Sequence, residues 1–341
     1  MQKVLIALSG GVDSSAAAGI IKKEYEAIGA TMKLYCSSEA DISDAESICR
    51  KIGIPFHLLD FKEDFENTVI ADFINTYKNG GTPNPCIVCN RIMKFGKLLE
   101  TAEKLGCDGI ATGHYANIEF RNGRYCLKKA TDLSKDQSYV LYGLTQSQLA
   151  KTIFPLGNMT KEKARNLAGS MDFQNSHKKE SQDICFVPDG DYFKFIESYT
   201  GEKFKEGYFK DKNGNILGKH KGIEKYTIGQ RKGLGLALPQ PMYVCEKNTD
   251  RNEVILCTNE ELFEKEVFIN HFNWVSMENP NTEFKATAKI RYNMKEQPCT
   301  VYPLTDTEIK IIFDKPQRAI TKGQSAVIYN EDYVIGGGII E

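Results

Sequence analysis

No stretch of the 341-residue chain approaches the ~20 consecutive apolar residues that a membrane-spanning helix needs. No secretory leader is predicted either, because the apolar run after Lys3 ends at once in Gly10 and Gly11. Neither sign of charge is in excess, since 44 basic and 45 acidic residues give a net charge of −1. Any nucleic-acid surface must therefore come from local patches. The ten cysteines are scattered over a long chain, which favours a soluble protein of the reducing cytoplasm with no membrane partner.

Two common nucleotide-binding signatures are absent too, the Gly-Lys-Ser/Thr ending of a Walker loop and the G-x-G-x-x-G fingerprint. In their place the segment Ser9–Ser14, SGGVDS, lies between an apolar run at 4–8 and helix-forming residues at 16–28. Glycine lets the backbone turn sharply and approach a ligand, and the amide groups of a helix start attract anions. An ordinary strand-to-helix turn does not require this combination. The segment is therefore predicted to bind phosphate.

Strands that alternate with helices continue from this loop. The pattern predicts a doubly wound parallel α/β sheet, in which ligands bind beyond the carboxyl ends of the strands. Met32–Cys36 and Thr112–Tyr115 are therefore expected beside Ser9–Ser14, and Gly113 would let an adenosine lie close to the backbone. The predicted strands are 4–8, 30–35, 55–60 and 109–112, and the predicted helices are 16–28, 41–52, 63–77 and 91–105.

The composition changes after residue 200. A hairpin is predicted at 116–131, and a glycine-rich, basic stretch at 201–235 has no helical period. Short β-rich segments then recur near 242–246, 253–257, 283–292, 299–303, 308–313, 325–329 and 333–340, which indicates a C-terminal β-barrel or sandwich. We predict a catalytic nucleotide-binding domain at 1–199, a small basic β-rich domain at 200–264 and a C-terminal β-barrel at 265–341.

Three of the ten cysteines do not lie on apolar elements. Cys86 and Cys89 lie in a proline-stiffened loop before the predicted helix 91–105, and Cys185 lies among polar and turn residues. A helix N-terminus and Arg91 would stabilise a thiolate, so Cys89 is a candidate nucleophile. A structural zinc site would need a second cysteine pair, which is missing. The other seven are predicted to be core residues: Cys36, Cys49, Cys107, Cys126, Cys245, Cys257 and Cys299.

Taken together, a set of motifs in order along the whole chain resembles the tRNA-specific 2-thiouridylases, a family of PP-loop ATPases. The motifs are Ser9–Ser14, Thr82–Pro85 with Cys89–Arg91 and Lys94–Phe95, Ala111–Tyr115, Lys135–Tyr139, Ser181–Phe186, Tyr226–Arg231, Ile290–Tyr292 and Gly323–Gln324. The resemblance implies a tRNA-uridine 2-sulfurtransferase that thiolates the wobble uridine (position 34) of the tRNAs for Lys, Glu and Gln. Its fold would be the PP-loop sheet followed by a central module and a β-barrel that binds tRNA.

The same resemblance implies roles for individual residues. ATP with Mg²⁺ would first adenylate the uracil C2 oxygen, with Asp13 as a catalytic residue. Cys185 would carry a persulfide sulfur, and Cys89 would attack it or assist its release, which leaves a Cys89–Cys185 disulfide for a cellular reductant. The implied ATP-binding residues are Ala7, Leu8, Ser9, Gly10, Gly11, Val12, Asp13, Ser14, Met32 and Gly113.

The implied partners are the anticodon arm of tRNA and a sulfur donor, either a cysteine desulfurase or a sulfur-carrier protein. A flipped uridine has to reach the pocket. The residues implied to contact tRNA are Asn84, Pro85, Cys86, His114, Lys135, Asp136, Gln137, Arg291, Tyr292 and Gln324.

Cys86 departs from the family pattern, because many members have Asp at this position. The departure opens an alternative in which Cys86, Cys89 and Cys185 hold a [4Fe-4S] cluster that delivers hydrosulfide directly. A PP-loop ligase acting on a small molecule is a further alternative, although it gives no reason for Cys89 or Cys185. A non-enzymatic RNA-binding protein does not explain the intact nucleotide loop.

Overall fold

A computed structural model describes residues 2–171 and 184–341. Ser181, Gln182 and Asp183, part of the motif that contains Cys185, lie outside the described residues. The N-terminal sheet has the order β3-β2-β1-β4-β7, with every neighbouring pair parallel. The first seven strands are β1 (Lys3–Ala7), β2 (Glu26–Lys33), β3 (Phe56–Asp60), β4 (Gly109–Ala111), β5 (Asn117–Arg121), β6 (Arg124–Lys128) and β7 (Thr152–Ile153).

The sheet order places β1 between β2 and β4, so chain connections leave β1 on opposite sides. This is the topological switch point at which such sheets bind ligands. The prediction of a doubly wound parallel sheet is confirmed. Val4 and Ile6 pack into one core layer and Leu5 into the other, and none of the three is exposed, which explains the continuous apolar run.

Helices cover this sheet. Two of them, α3 and α4, each consist of three helical segments that follow one another without a break, and the middle segment of each is π-helical. The helices are α1 (Val12–Glu24), α2 (Glu39–Ile52), α3 (Lys62–Phe65, Glu66–Ile70 and Ala71–Lys78), α4 (Pro85–Val88, Cys89–Lys97 and Leu98–Lys104), α5 (Gln146–Ala150), α6 (Lys161–Ser170) and α7 (Tyr192–Thr200).

Several predicted boundaries are wrong, including those of the first helix and of the helix that precedes β4. The first helix ends at Glu24 instead of residue 28, because Ala27 and Ile28 are strand residues that pair with Val4 and Leu5. The helix predicted at 91–105 begins at Pro85, since proline suits the first turn of a helix. Cys86 and Cys89 therefore lie on α4 and not in a loop before it.

The central part of the chain forms a four-stranded sheet with the order β10-β11-β8-β9. Its strands are β8 (Gly207–Asp211), β9 (Ile216–His220), β10 (Tyr243–Asn248) and β11 (Glu253–Cys257). The C-terminal strands β12 to β17 form a barrel that the pairing of β12 with β17 closes. They are β12 (Phe263–Trp274), β13 (Phe284–Lys289), β14 (Gln297–Pro303), β15 (Ile309–Arg318), β16 (Ser325–Asn330) and β17 (Tyr333–Ile340).

The barrel and the N-terminal domain share structure. The predicted hairpin, β5 with β6, joins the barrel sheet where Lys128 pairs with Tyr333. The core layer that contains Leu5 also contains Val327 and Tyr329 of the barrel. This shared core packs the barrel against the N-terminal domain. No helix among the described residues has the length and hydropathy to cross a membrane.

Candidate active site

The loop that follows β1 has the predicted strand–loop–helix geometry. Gly10 has φ +66°, a left-handed conformation that favours glycine, and a Cβ there would lie 2.6 Å from the Asp41 carbonyl oxygen. Gly11 caps α1, and the Ser14 hydroxyl donates to its carbonyl oxygen at 3.0 Å. The Ser9 amide donates to Ser14 Oγ at 3.2 Å. The start of α1 is therefore presented at the carboxyl edge of the sheet, where an anion is stabilised.

Gly113 brings the loop after β4 against this first loop. A Cβ at Gly113 would lie 2.9 Å from both the Asp13 carbonyl carbon and the Ser14 nitrogen. Protein backbone thus already occupies the space on that side of Gly113. Glycine is required here for close packing of two loops, a stronger reason than the approach of an adenosine that the sequence suggested.

Asp13 lies in a network that the sequence did not predict. Lys161 Nζ lies 2.8 Å from both carboxylate oxygens of Asp13, and the Tyr115 hydroxyl donates to Oδ1 at 2.8 Å. The Lys161 side chain is only 12% exposed. Because Lys161 begins α6, far along the chain, only the fold brings its positive charge to the phosphate-binding loop. None of the proline, glycine and cysteine motifs in the sequence indicated that Lys161 would lie beside Asp13.

Four cysteines gather near the same edge of the sheet. Cys86 lies in the first turn of α4 and is exposed, and Cys89 is half-buried one turn further along. Cys185, also exposed, interacts electrostatically with both. The structure therefore brings Cys185 near α4 across about a hundred residues of sequence.

Cys36 is the fourth member. It follows β2, is half-buried, and packs, as Cys89 does, against the apolar cluster that contains Phe186. The neighbouring Cys185 thiol lowers the pKa of Cys36, and the Cys36 thiol, followed by burial, raises the pKa of Cys185. Cys245 is also only half-buried, beside Cys257, whereas the five other cysteines assigned to the core are buried as predicted: Cys49, Cys107, Cys126, Cys257 and Cys299.

Cys89 is not activated in the way that the sequence suggested. Burial raises its pKa to about 11, and the positive charge of Lys94 only partly opposes this shift. Arg91, the expected activator, is exposed and packs against Gly143. Lys94, one turn beyond Cys89 on α4, is therefore the cation of this site, since it also interacts with Cys86 and Cys185.

His114 connects the cysteine cluster to the sheet edge. Its Nε2 lies 3.5 Å from Lys94 Nζ and its Nδ1 lies 2.7 Å from the Thr112 hydroxyl. Burial and, second, Lys94 lower the pKa of His114 well below 6.5, so the ring is neutral. The ring is buried in this structure, between Phe95 and Phe154, and does not form an exposed contact surface for RNA.

The segment Lys135–Gln137 is held by the protein itself. Asp136 accepts hydrogen bonds from the Ala130 amide at 2.9 Å and the Ser138 hydroxyl at 2.7 Å. The Gln137 side chain accepts from the Tyr115 amide at 2.9 Å. These bonds fix the loop next to Tyr115, whose hydroxyl binds Asp13.

The barrel reaches the site through two of its three predicted residues. The Tyr292 hydroxyl donates to the Asp136 carbonyl at 3.3 Å, its ring is 40% exposed, and burial, followed by Asp136 and Cys86, raises its pKa. Gln324 donates to the Thr82 carbonyl at 2.9 Å. Arg291 donates to the Ala319 carbonyl and to Thr321, so its guanidinium is engaged within the barrel.

The loop before α4 is a junction of all three parts of the chain. The Thr82 amide donates to the Lys322 carbonyl of the barrel at 2.9 Å, and Lys247 of β10 donates to the Gly81 carbonyl at 3.4 Å. Asn84, half-buried, caps α4 without a side-chain hydrogen bond, and Pro85 is buried in its first turn. The position of Cys86 therefore depends on both the central module and the barrel.

The arrangement of the donor side chains bears on metal ligation. Among the described residues, no group of three or more Cys, His, Asp or Glu side chains is arranged to hold a metal ion. The described thiols of Cys86, Cys89 and Cys185 thus do not fit an iron–sulfur cluster in this arrangement. The site is instead a set of interacting thiols around one lysine.

Comparison with known proteins assigns a family to each part of the chain. Residues 2–189 match the family described as tRNA methyl transferase HUP domain. Residues 193–258 match the tRNA methyl transferase PRC-barrel domain, and residues 264–340 match the aminomethyltransferase beta-barrel domain.

Curated relatives match from end to end. The tRNA-specific 2-thiouridylase MnmA of Halothermothrix orenii is 48% identical and aligns with 100% of this chain and 99% of its own. The enzymes of the same name from Clostridioides difficile and Acetivibrio thermocellus are each 47% identical over 100% of this chain, and cover 98% and 99% of their own lengths. With this identity over nearly complete chains, the protein belongs to the family of tRNA-specific 2-thiouridylases.

Proposed function

We propose that the protein is an ATP-dependent tRNA-uridine 2-sulfurtransferase acting on the wobble uridine (position 34) of the tRNAs for Lys, Glu and Gln. One observation carries the proposal beyond family membership: a cluster of interacting thiols lies next to a phosphate-binding loop. Lys94 interacts with Cys86, Cys89 and Cys185 and contacts His114, the third residue after β4, at the sheet edge of that loop.

ATP solves a chemical problem of the acceptor. The C2 carbonyl of uracil has no leaving group, so its oxygen first attacks the α-phosphorus of ATP and pyrophosphate departs. Ser9–Ser14, with the start of α1, would bind the pyrophosphate, and Lys161 would offset its charge. Among the other implied ATP residues, Met32 lies near the carboxyl end of β2 and Gly113 follows β4 at the same edge. Mg²⁺ would accompany the ATP phosphates.

Sulfur then replaces the activated oxygen. A cysteine desulfurase or a sulfur-carrier protein would load a sulfane sulfur onto Cys185, which is exposed to such a donor. The sulfur attacks C2, AMP leaves, and Cys89 attacks the persulfide or assists its release. The protein disulfide that remains is reopened by a dithiol reductant.

A single-stranded anticodon loop suits the surface around Cys86. Bases of unpaired RNA stack on aromatic side chains, and Tyr292 presents a partly exposed ring beside Cys86. Asn84, Pro85 and Cys86 would contact the flipped uridine. Lys135, Asp136, Gln137, Arg291 and Gln324 would then shape and support the anticodon site, and a contact of His114 with RNA would require its buried ring to be uncovered.

A thiolation assay with matched cysteine variants tests this function. Unmodified tRNA, ATP and a persulfide donor are incubated with the protein, and the tRNA is digested to nucleosides. Cys185→Ser and Cys89→Ser are expected to abolish 2-thiouridine, whereas Cys49→Ser, which replaces a buried thiol of α2, should retain it. Full activity of Cys185→Ser would contradict the role of Cys185 as the carrier of the persulfide sulfur.

The same preparations separate the alternatives. Iron and labile sulfide are measured after anaerobic purification. An iron-free wild type that thiolates tRNA excludes the cluster mechanism, and activity that depends on bound iron would replace the persulfide mechanism with it. AMP release on a small substrate without 2-thiouridine would indicate a PP-loop ligase.

A further inference from the structure

Asp13 of the phosphate-binding loop is held by two residues from different parts of the chain. The Tyr115 hydroxyl donates to Asp13 Oδ1 at 2.8 Å, and Lys161 Nζ lies 2.8 Å from each carboxylate oxygen. Tyr115 lies in the loop after β4, whereas Lys161 is the first residue of α6. The position of the Asp13 side chain therefore depends on how these two segments are themselves held.

The first turn of α6 is bound by Asp132. Its Oδ2 accepts from the Lys161 amide at 3.1 Å, while its Oδ1 accepts from the Ser134 amide at 3.1 Å and the Ser134 hydroxyl at 2.6 Å. The Ser134 hydroxyl and, second, the Lys161 amide lower the pKa of the Asp132 carboxyl, so it is an ionised acceptor at neutral pH. Because an amide at a helix start has no partner within the helix, this bond fixes the point from which the Lys161 side chain extends.

The chain that follows this turn binds Tyr115. The Lys135 amide donates to the Asp132 carbonyl at 3.0 Å, which closes the turn. Gln137 then makes two hydrogen bonds with Tyr115, one from its amide to the Tyr115 carbonyl at 2.8 Å and one from the Tyr115 amide to its side chain at 2.9 Å. Residues 132–137, here called the connecting segment, therefore link two groups that both bind the carboxylate of the phosphate-binding loop.

The connecting segment lies at the surface. Leu133, at the tip of the turn, is 69% exposed, and Tyr292 of the barrel donates to the Asp136 carbonyl at 3.3 Å. The segment contains Lys135, Asp136 and Gln137, which the proposed function assigns to the anticodon site. One short stretch of chain thus has tRNA expected on its outer side and is hydrogen-bonded, on its inner side, to the residues that hold Asp13.

We propose that Asp132 is a positioning residue that couples ATP binding to tRNA binding, an inference that rests on the proposed function. tRNA on the connecting segment would hold Asp132 in one arrangement, and with it the start of α6 and Lys161. ATP then meets a phosphate-binding loop whose surrounding side chains are already ordered, so less conformational entropy is lost when it binds. By linkage, ATP should tighten tRNA binding by the same factor.

Coupling of this kind suits the proposed reaction, because ATP activates a uridine oxygen and has no acceptor until tRNA is bound. Lys161 is the group through which the effect would reach the nucleotide. Its ammonium binds Asp13 and, in the proposed function, offsets the charge of the pyrophosphate. A change at Asp132 that frees the start of α6 should therefore alter how ATP binding responds to tRNA.

The test measures binding of α,β-methylene ATP, which cannot release pyrophosphate, to the full-length protein by calorimetry, with and without saturating unmodified lysine tRNA. The readout is the ratio of the two dissociation constants. The wild type is expected to bind the analogue at least about fivefold more tightly with tRNA. In Asp132→Asn an NH₂ group replaces one acceptor oxygen and faces a donor, either the Lys161 amide or Ser134, so the ratio should fall to about one.

Asp211→Asn is the matched control. Asp211 Oδ1 accepts from the Asn213 amide at 2.9 Å in the same kind of turn, between β8 and β9, so this variant should keep the wild-type ratio. A variant that is merely damaged would lose affinity equally in both conditions and would also keep that ratio. Tyr115→Phe, which removes the hydroxyl bond to Asp13, should lower the ratio even if Asp132→Asn does not fold.

An unchanged ratio in folded Asp132→Asn, or in Tyr115→Phe, would overturn the inference. The nucleoside assay for 2-thiouridine separates this outcome from a failure of the proposed function. A wild type that shows the coupling but makes no 2-thiouridine refutes the proposed function alone. A wild type that makes 2-thiouridine but binds the analogue equally well with and without tRNA refutes the inference alone.

Discussion

The chemistry of single side chains at this site depends on where the backbone places them. Cys89 was predicted to be activated at a helix N-terminus, but α4 begins at Pro85 and places Cys89 a full turn inside. The dipole favours a thiolate only within the first turn, and burial disfavours it. A shift of a few residues in a helix start therefore reverses the predicted direction of a pKa.

His114 gives a pH-dependent prediction for stability. The folded protein holds the ring neutral, whereas the unfolded chain binds a proton as the pH falls below about 6.5. The free energy of unfolding should therefore decrease on acidification, by about 1.4 kcal/mol per pH unit from this residue alone. Urea denaturation between pH 7 and 5 measures the effect, as the difference between wild type and His114→Asn.

The control for this experiment is His271→Asn. His271 is exposed with φ +49°, a conformation that Asn accepts readily. Its curve should run parallel to that of the wild type. A His114→Asn curve that also stays parallel to the wild type would show that His114 binds a proton equally in both states.

At the level of elements, the sheet edge is built from two loops that touch through Gly113. In Gly113→Ala the new methyl group would lie 2.9 Å from the backbone of Asp13 and Ser14, so the two loops must separate. Overpacking of this kind costs about 1–3 kcal/mol. We expect this cost to weaken ATP binding, which calorimetry measures. Gly169→Ala, in open space on α6, should bind ATP as the wild type does. Equal affinity of both variants would place ATP away from this loop pair.

Some elements could be predicted from the sequence and others could not. The continuous apolar run of β1 correctly indicated a strand that is buried on both faces. The β-rich segments and the turn residues between them located most barrel strands correctly. The longest strand, β12, was missed, because its first half is exposed and charged and bulges interrupt its register. β7 was missed because it has only two residues.

At the scale of the whole molecule, the site is a meeting point of distant segments. Motifs identified the phosphate loop, Cys89 and Cys185, but not Lys161 beside Asp13 or Cys36 beside Cys185. Such pairs depend on tertiary contacts over long sequence separations, which a single sequence does not encode as a local pattern. The barrel and central module fix the loop before Cys86, so their integrity bears directly on the chemistry.

The coupling of ATP cleavage to thiolation tests the central claim most directly. Wild-type protein loaded with sulfane sulfur is mixed with unmodified lysine tRNA and α-labelled ATP in a single turnover, and AMP, pyrophosphate and 2-thiouridine are measured in the same samples. The account predicts that the three products appear in equal amounts, with the sulfur at the wobble position. Formation of 2-thiouridine without AMP, or AMP without 2-thiouridine, would contradict it.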